Sequence, residues 1–141
     1  MAETVANRYK KALADGDEDW VNGDYRALLL TGSVAIDPDD VTVADVLAGN
    51  TEASDGSYAR VALTTPTNTQ NDTNDRADLD ADTIDFDTLD NETPTALVIF
   101  RFVDGTDAND LYVSTHDSNF GAAANGAGYT VEWPNDVIRI S

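Results

Sequence analysis

A chain of 141 residues is long enough for one hydrophobic core and too short for a second domain. Its 27 acidic and 8 basic side chains leave a formal charge of −19, which repels phosphate and excludes nucleic acid as a partner. It has no cysteine for a disulfide or thiolate site, and no apolar run near the roughly 18 residues of a membrane span.

The opening Met1-Ala2-Glu3-Thr4 lacks the basic and apolar regions of a signal peptide, so the expectation is a soluble protein made in the cytoplasm. Residues 3 to 14 predict a helix, with Thr4 as cap and Val5, Tyr9, Ala12 and Leu13 on one face. The acidic run Asp15-Gly16-Asp17-Glu18-Asp19 ends it. Asp24 to Thr31 is a continuous apolar strand, buried on both sides for much of its length. Asp37-Pro38-Asp39-Asp40 is turn chemistry, and Val43 to Leu47 fits one short helical turn. Tyr58 to Leu63 alternates as a strand. Thr64 to Asp75 has no large apolar residue and is either a long loop or a Thr-rich edge strand. Arg76 to Asp87 alternates again, with Ala77, Leu79, Ala81, Ile84 and Phe86 as the inward set.

Ala96 to Val103 is the most apolar segment and predicts the central strand. Asp104-Gly105-Thr106-Asp107 turns it into Leu111 to Thr115. After a loop from Gly121 to Gly128, Tyr129 to Trp133 alternates, Pro134-Asn135-Asp136 turns, and Val137 to Ile140 closes the sheet. Seven or eight short strands at this spacing predict an all-β protein, a single-domain antiparallel β-sandwich of jelly-roll type. The sandwich is expected over residues 24–141, with residues 1–23 as an N-terminal arm or helix.

Of the acids 22 are Asp, and of the bases only 2 are Lys. Such a surface repels itself in dilute buffer and is screened in concentrated salt, which points to a halophilic source; the alternative is an ordinary acidic protein with calcium neutralising its Asp clusters. Candidate chemistry is sparse. The one histidine, His116, lies beside Asp117, with Ser114 or Ser118 as conceivable nucleophiles, but no strained nucleophile turn or Gly-rich oxyanion loop accompanies them, so a lone surface histidine is expected. Paired carboxylates follow from the acid count alone. The clusters at 15–19, 37–40 and 104–107 offer oxygens to a hard cation, yet none has the EF-hand pattern. No catalytic, cofactor or metal residue is therefore nominated. Trp133 is in phase with Tyr129 and Val131, which suggests a core or interface role. Arg8, Tyr9, Lys10, Lys11 and Trp20, the basic cluster and aromatics of the arm, are nominated as an interface with an acidic neighbour; a helix packed on its own sheet is the alternative.

The order of several segments carries a resemblance. Gly-Ser-Tyr-Ala-Arg (56–60), Asn-Asp-Arg-Ala-Asp-Leu-Asp-Ala-Asp (74–82) and Phe86 are followed by the apolar strand 96–103 and Asp-Leu-Tyr-Val (110–113). Asn125-Gly126, Tyr-Thr-Val-Glu-Trp-Pro (129–134) and the tail Val137, Ile138 and Ile140 complete it. In these the C-terminal two-thirds resembles a family of small virion proteins encoded in the structural modules of tailed viruses; Thr4 to Gly23 departs from that family's usual opening. The resemblance implies a non-enzymatic particle component, a capsid decoration, cement or turret protein, with a tail or head–tail connector component as the alternative. It implies location in the virion and contacts with the major capsid protein or other virion proteins; symmetry suggests a homo-oligomer, for which a trimer is suitable. With the acidic surface it suggests a salt-loving archaeal host. A different class, an extracellular calcium- or carbohydrate-binding β-sandwich module, would require an export route.

Overall fold

The apolar segments that dominate the sequence lie side by side in one sheet. The computed structural model describes residues 3–117, 126–132 and 137–140. In chain order the elements are β1 (Glu3–Val5), α1 (Asn7–Asp15), β2 (Tyr25–Thr31), α2 (Val43–Ala48), β3 (Thr51–Glu52), β4 (Val61–Ala62), β5 (Thr67–Asn71), β6 (Arg76–Asp80), β7 (Ile84–Leu89), β8 (Pro94–Arg101), β9 (Leu111–His116), β10 (Ala127–Val131) and β11 (Ile138–Ile140). The main sheet runs β1-β9-β8-β2-β3, and β4 also pairs with β2. Two smaller sheets, β10-β7 and β11-β6-β5, complete an all-β, antiparallel, sandwich-like domain with short helices.

Strand patterning explains the layout. β2 and β8 pair along their whole length, Leu28 opposite Val98 and Leu29 opposite Leu97. Ala27 to Leu30 and Ala96 to Phe100 are all buried, because both faces of the central pair are covered and neither strand can alternate. β7 does alternate: Ile84, Phe86 and Leu89 are buried, whereas Asp85 and Asp87 face outward. The Thr-rich segment is an edge strand, β5, whose residues 67–70 are exposed and polar. Such a polar edge offers little to a second copy seeking to pair with it.

The N-terminal segment differs from its expected form. Residues 3–5 are a strand, Thr4 lies opposite Thr115 in β9, and α1 begins only after Ala6, with no side-chain cap. Gly16 ends the helix at φ +79°; its N–H donates to Leu13 O (3.2 Å) and that of Asp17 to Ala12 O (2.9 Å). Glycine adopts this left-handed turn without the Cβ penalty other residues incur. The sandwich is therefore not complete from Asp24 onward: β1 supplies a strand of the main sheet, and the segment after it supplies core. Tyr9 is fully buried and Trp20 is 2% exposed. The Trp20 ring lies 4.7 Å from that of Tyr25, and Tyr9 meets Tyr25 edge-on at 6.2 Å. Trp20 Nε1–H donates to Asp80 O (3.0 Å), tying the segment to β6 of a smaller sheet.

Candidate functional site

The five nominated arm residues do not form one surface. Tyr9 and Trp20 are inside the chain's own core, so they cannot anchor a neighbour, and the helix packs on its own sheet. An aromatic buries where it finds area to cover and a partner for its polar atom; Trp20 finds a ring in the nearby Tyr25 and its hydrogen-bond acceptor in Asp80, far along the chain. Arg8 is also turned inward. Its guanidinium pairs with Glu18 and donates to Tyr112 O (3.1 Å). Glu18, a carboxylate with only 5% of its side chain exposed, also accepts from Tyr25 Oη (2.8 Å) and lies 3.7 Å from Arg101 Nε. Two arginines and a tyrosine thus compensate one desolvated charge. Nothing in the run 15–19 distinguishes Glu18 from its exposed neighbours, so composition alone could not find this cluster.

Lys10 and Lys11 remain exposed. Lys11 pairs with Asp15 one helical turn on. Lys10 lines a groove of about 370 Å³ together with Glu3, Val5, Arg139 and Ile140. The groove lies where β1, α1 and β11 meet, and Glu3 Oε1 accepts from the backbone N–H of Arg139 (3.1 Å). Of these residues only Lys10 was visible as a candidate from sequence, since the others come from strands at opposite ends of the chain.

His116 departs from the expected surface position. It is 2% exposed in β9, and its Nε2 lies 3.2 Å from the equally buried Ser114 Oγ. Burial disfavours the imidazolium and lowers its pKa from 6.5 to about 3. A neutral imidazole beside a hydroxyl has the chemistry of a base and a nucleophile, but both groups are sealed within the sheet and no substrate atom can reach them. Ser118 and Trp133 lie outside the described residues.

The acidic turns use their oxygens internally. Asp104 accepts from Thr106 N–H (2.8 Å) and Asn109 Nδ2 (2.8 Å), and Asp107 accepts from Arg60 Nη1 (2.7 Å). Arg60 also grips Glu52 through Nε (2.8 Å) and Nη2 (2.6 Å). Asp110, fully buried, accepts from the N–H groups of Val103, Asp104 and Gly105 at 2.8, 3.2 and 3.3 Å. Asp39 N–H donates to Asp37 Oδ1 (2.9 Å), and Asp39 Oδ1 accepts from Asn7 Nδ2 (2.7 Å). Donated hydrogen bonds hold the carboxyls of Asp19, Asp45, Asp55, Asp78 and Asp104 below the usual range. Among the described residues no three His, Asp or Glu side chains are grouped to hold a metal ion.

Known proteins offer no parallel: no family model, curated protein or solved structure matches this chain. What the geometry of the described residues provides is an internally hydrogen-bonded acidic frame and a cation-lipped groove.

Proposed function

We propose that this chain is a virion structural protein, a capsid decoration or cement component that stabilises the shell of a virus of a salt-loving host. The observation that carries the reading is the use made of the acidic side chains. Asp55, Asp104 and Asp110 fasten turns by accepting backbone N–H groups, and Glu52 of β3 and Asp107 of a loop hold Arg60 between them. The polar chemistry thus stiffens loops around a both-faces-buried central sheet, which suits a part whose task is mechanical. The ordered segments from residue 56 to residue 140 that resemble small virion proteins support the same reading.

In this role the protein works by adding buried interface across subunit boundaries of a shell. A stable contact of that kind buries on the order of 1,200–2,000 Å². Its partners are further copies of itself and the major capsid protein. The test is to purify particles from an infected halophilic culture on a density gradient and identify this chain by mass spectrometry. Co-migration at fixed stoichiometry, with release lowering the particle's resistance to heat, is the expected result. Absence from intact particles, or loss of the chain without effect on the shell, overturns the proposal.

A further inference from the structure

The groove between β1, α1 and β11 is lined by two cations and one carboxylate, in a chain with more than three acids to each base. We infer that it receives an extended, acid-bearing segment of another polypeptide, whose carboxylates meet Lys10 and Arg139 while its apolar side chains rest on Val5 and Ile140. Two of the eight basic residues line this one groove, in a chain of net charge −19. Against them stands Glu3, which is engaged at the Arg139 backbone.

Lys10 is the informative residue. Arg8, Lys11, Arg26, Arg60, Arg76 and Arg101 form ion pairs with their own chain, and Arg139 has partners within it as well. Among the described residues Lys10 is the one basic side chain without an intramolecular ion pair or hydrogen bond. With 27 acids available, a surface cation left unpaired at the lip of a groove is available to a carboxylate from elsewhere. The groove walls argue for an extended guest. Among the described residues β1 ends the main sheet and β11 ends a smaller one, so two strand edges border the opening. Strand edges recognise extended chains, through main-chain groups and alternating side chains. The groove's chemistry asks for acids on an extended chain.

The experiment titrates the full chain, labelled with ¹⁵N and held in buffered KCl, with the capped peptide Asp-Val-Asp-Val-Asp-Val. The expected result is saturable movement of the amides of β1, α1 and β11. Lys10→Glu should weaken binding roughly tenfold, while Lys11→Glu, next in sequence but outside the groove, should change it less than twofold. Both side chains are exposed, so both variants fold. Lys-Val-Lys-Val-Lys-Val should not bind there. N-acetylaspartate at equal carboxylate concentration should leave these amides in place. Four outcomes overturn the proposal: no saturable binding, movement centred elsewhere, equal loss in both Lys variants, or equal binding of N-acetylaspartate.

Discussion

Asp55 and Glu92 hold each other's loops. The Asp55 carboxylate accepts from the N–H groups of Asp90 (3.1 Å), Asn91 (2.6 Å) and Glu92 (2.9 Å), and the Glu92 carboxylate accepts in return from the N–H groups of Ser54 (2.7 Å) and Asp55 (3.1 Å). Gly56 sits in the same clasp at φ +61°, and a Cβ there would lie 2.3 Å from Thr88 O. Asp55→Ala and Glu92→Ala should each lower the urea midpoint, and the double variant should lose less than the sum, because each single change opens the same clasp. Strict additivity would show that the two carboxylates act independently. Gly56→Ala should be worse than either, being both strained and blocked.

Salt should stabilise the fold. The screening length shrinks from about 10 Å at 0.1 M to about 3 Å at 1 M, which removes most of the repulsion within a −19 surface. Melting temperature measured from 0.1 to 3 M KCl should rise across the series, several degrees for each kcal/mol gained. A flat or falling series would remove the halophile argument.

Mild acid should act through His116. Its folded pKa, about 3, lies below the unfolded value of 6.5, so the folded state binds fewer protons. Its contribution is complete above pH 6.5 and is lost as pH falls toward 3. From pH 6.5 to 5, above most carboxylate titration, stability in high salt should decline with a slope approaching 1.4 kcal/mol per pH unit. His116→Gln should flatten that slope; an unchanged slope in the variant would assign it to another group. Further down, the hydrogen-bonded carboxyls act in the same direction. The lowered pKa values of Asp55 and Asp104 mean that their contributions are complete above the ordinary carboxylate value and fade as pH falls through their folded values.

The N-terminal segment should prove indispensable for folding. Trp20→Ala removes a buried ring and an indole hydrogen bond, a loss of about 3–5 kcal/mol by comparison with other buried aromatics. Deleting residues 2–20 should yield unfolded protein by circular dichroism. A folded deletion variant that merely fails to oligomerise would restore the arm reading.

Ile99→Asp tests the centre of the sheet. Ile99 is fully buried between Ala27 of β2 and Ser114 of β9, and neither offers a counter-charge to a carboxylate there. The variant should be insoluble or unfolded; a soluble, native-like spectrum would contradict the sheet order.

Reading the sequence succeeded where the signal is local. The uninterrupted runs of β2 and β8 and the alternation of β7 each declare their environment through their own side chains. The short helical turn expected over Val43 to Leu47, which is α2, is of the same kind. It failed where burial depends on a distant partner. Val5 has helical spacing to Tyr9, yet β1 forms because β9 offers an edge more than a hundred residues away. Trp20 reads as an anchor for a neighbour until Asp80 supplies a carbonyl within the chain, and His116 reads as a surface residue until β1 and β8 flank it. The groove was illegible for the same reason, since Glu3 and Arg139 meet only in the folded chain.

The pairing of β1 with β9 also constrains synthesis. Of the described strands β1 is made before its partner and waits for Ser114 to His116 to offer an edge, and β2 has only the short β3 and β4 beside it until β8 follows. Until then Tyr9, Tyr25 and Leu28 to Leu30 lack most of the sheet that buries them. Contacts of such long sequence separation make folding slow. During that interval the dense negative charge on the nascent chain has a second use: it keeps unfinished copies apart while their apolar strands are still uncovered.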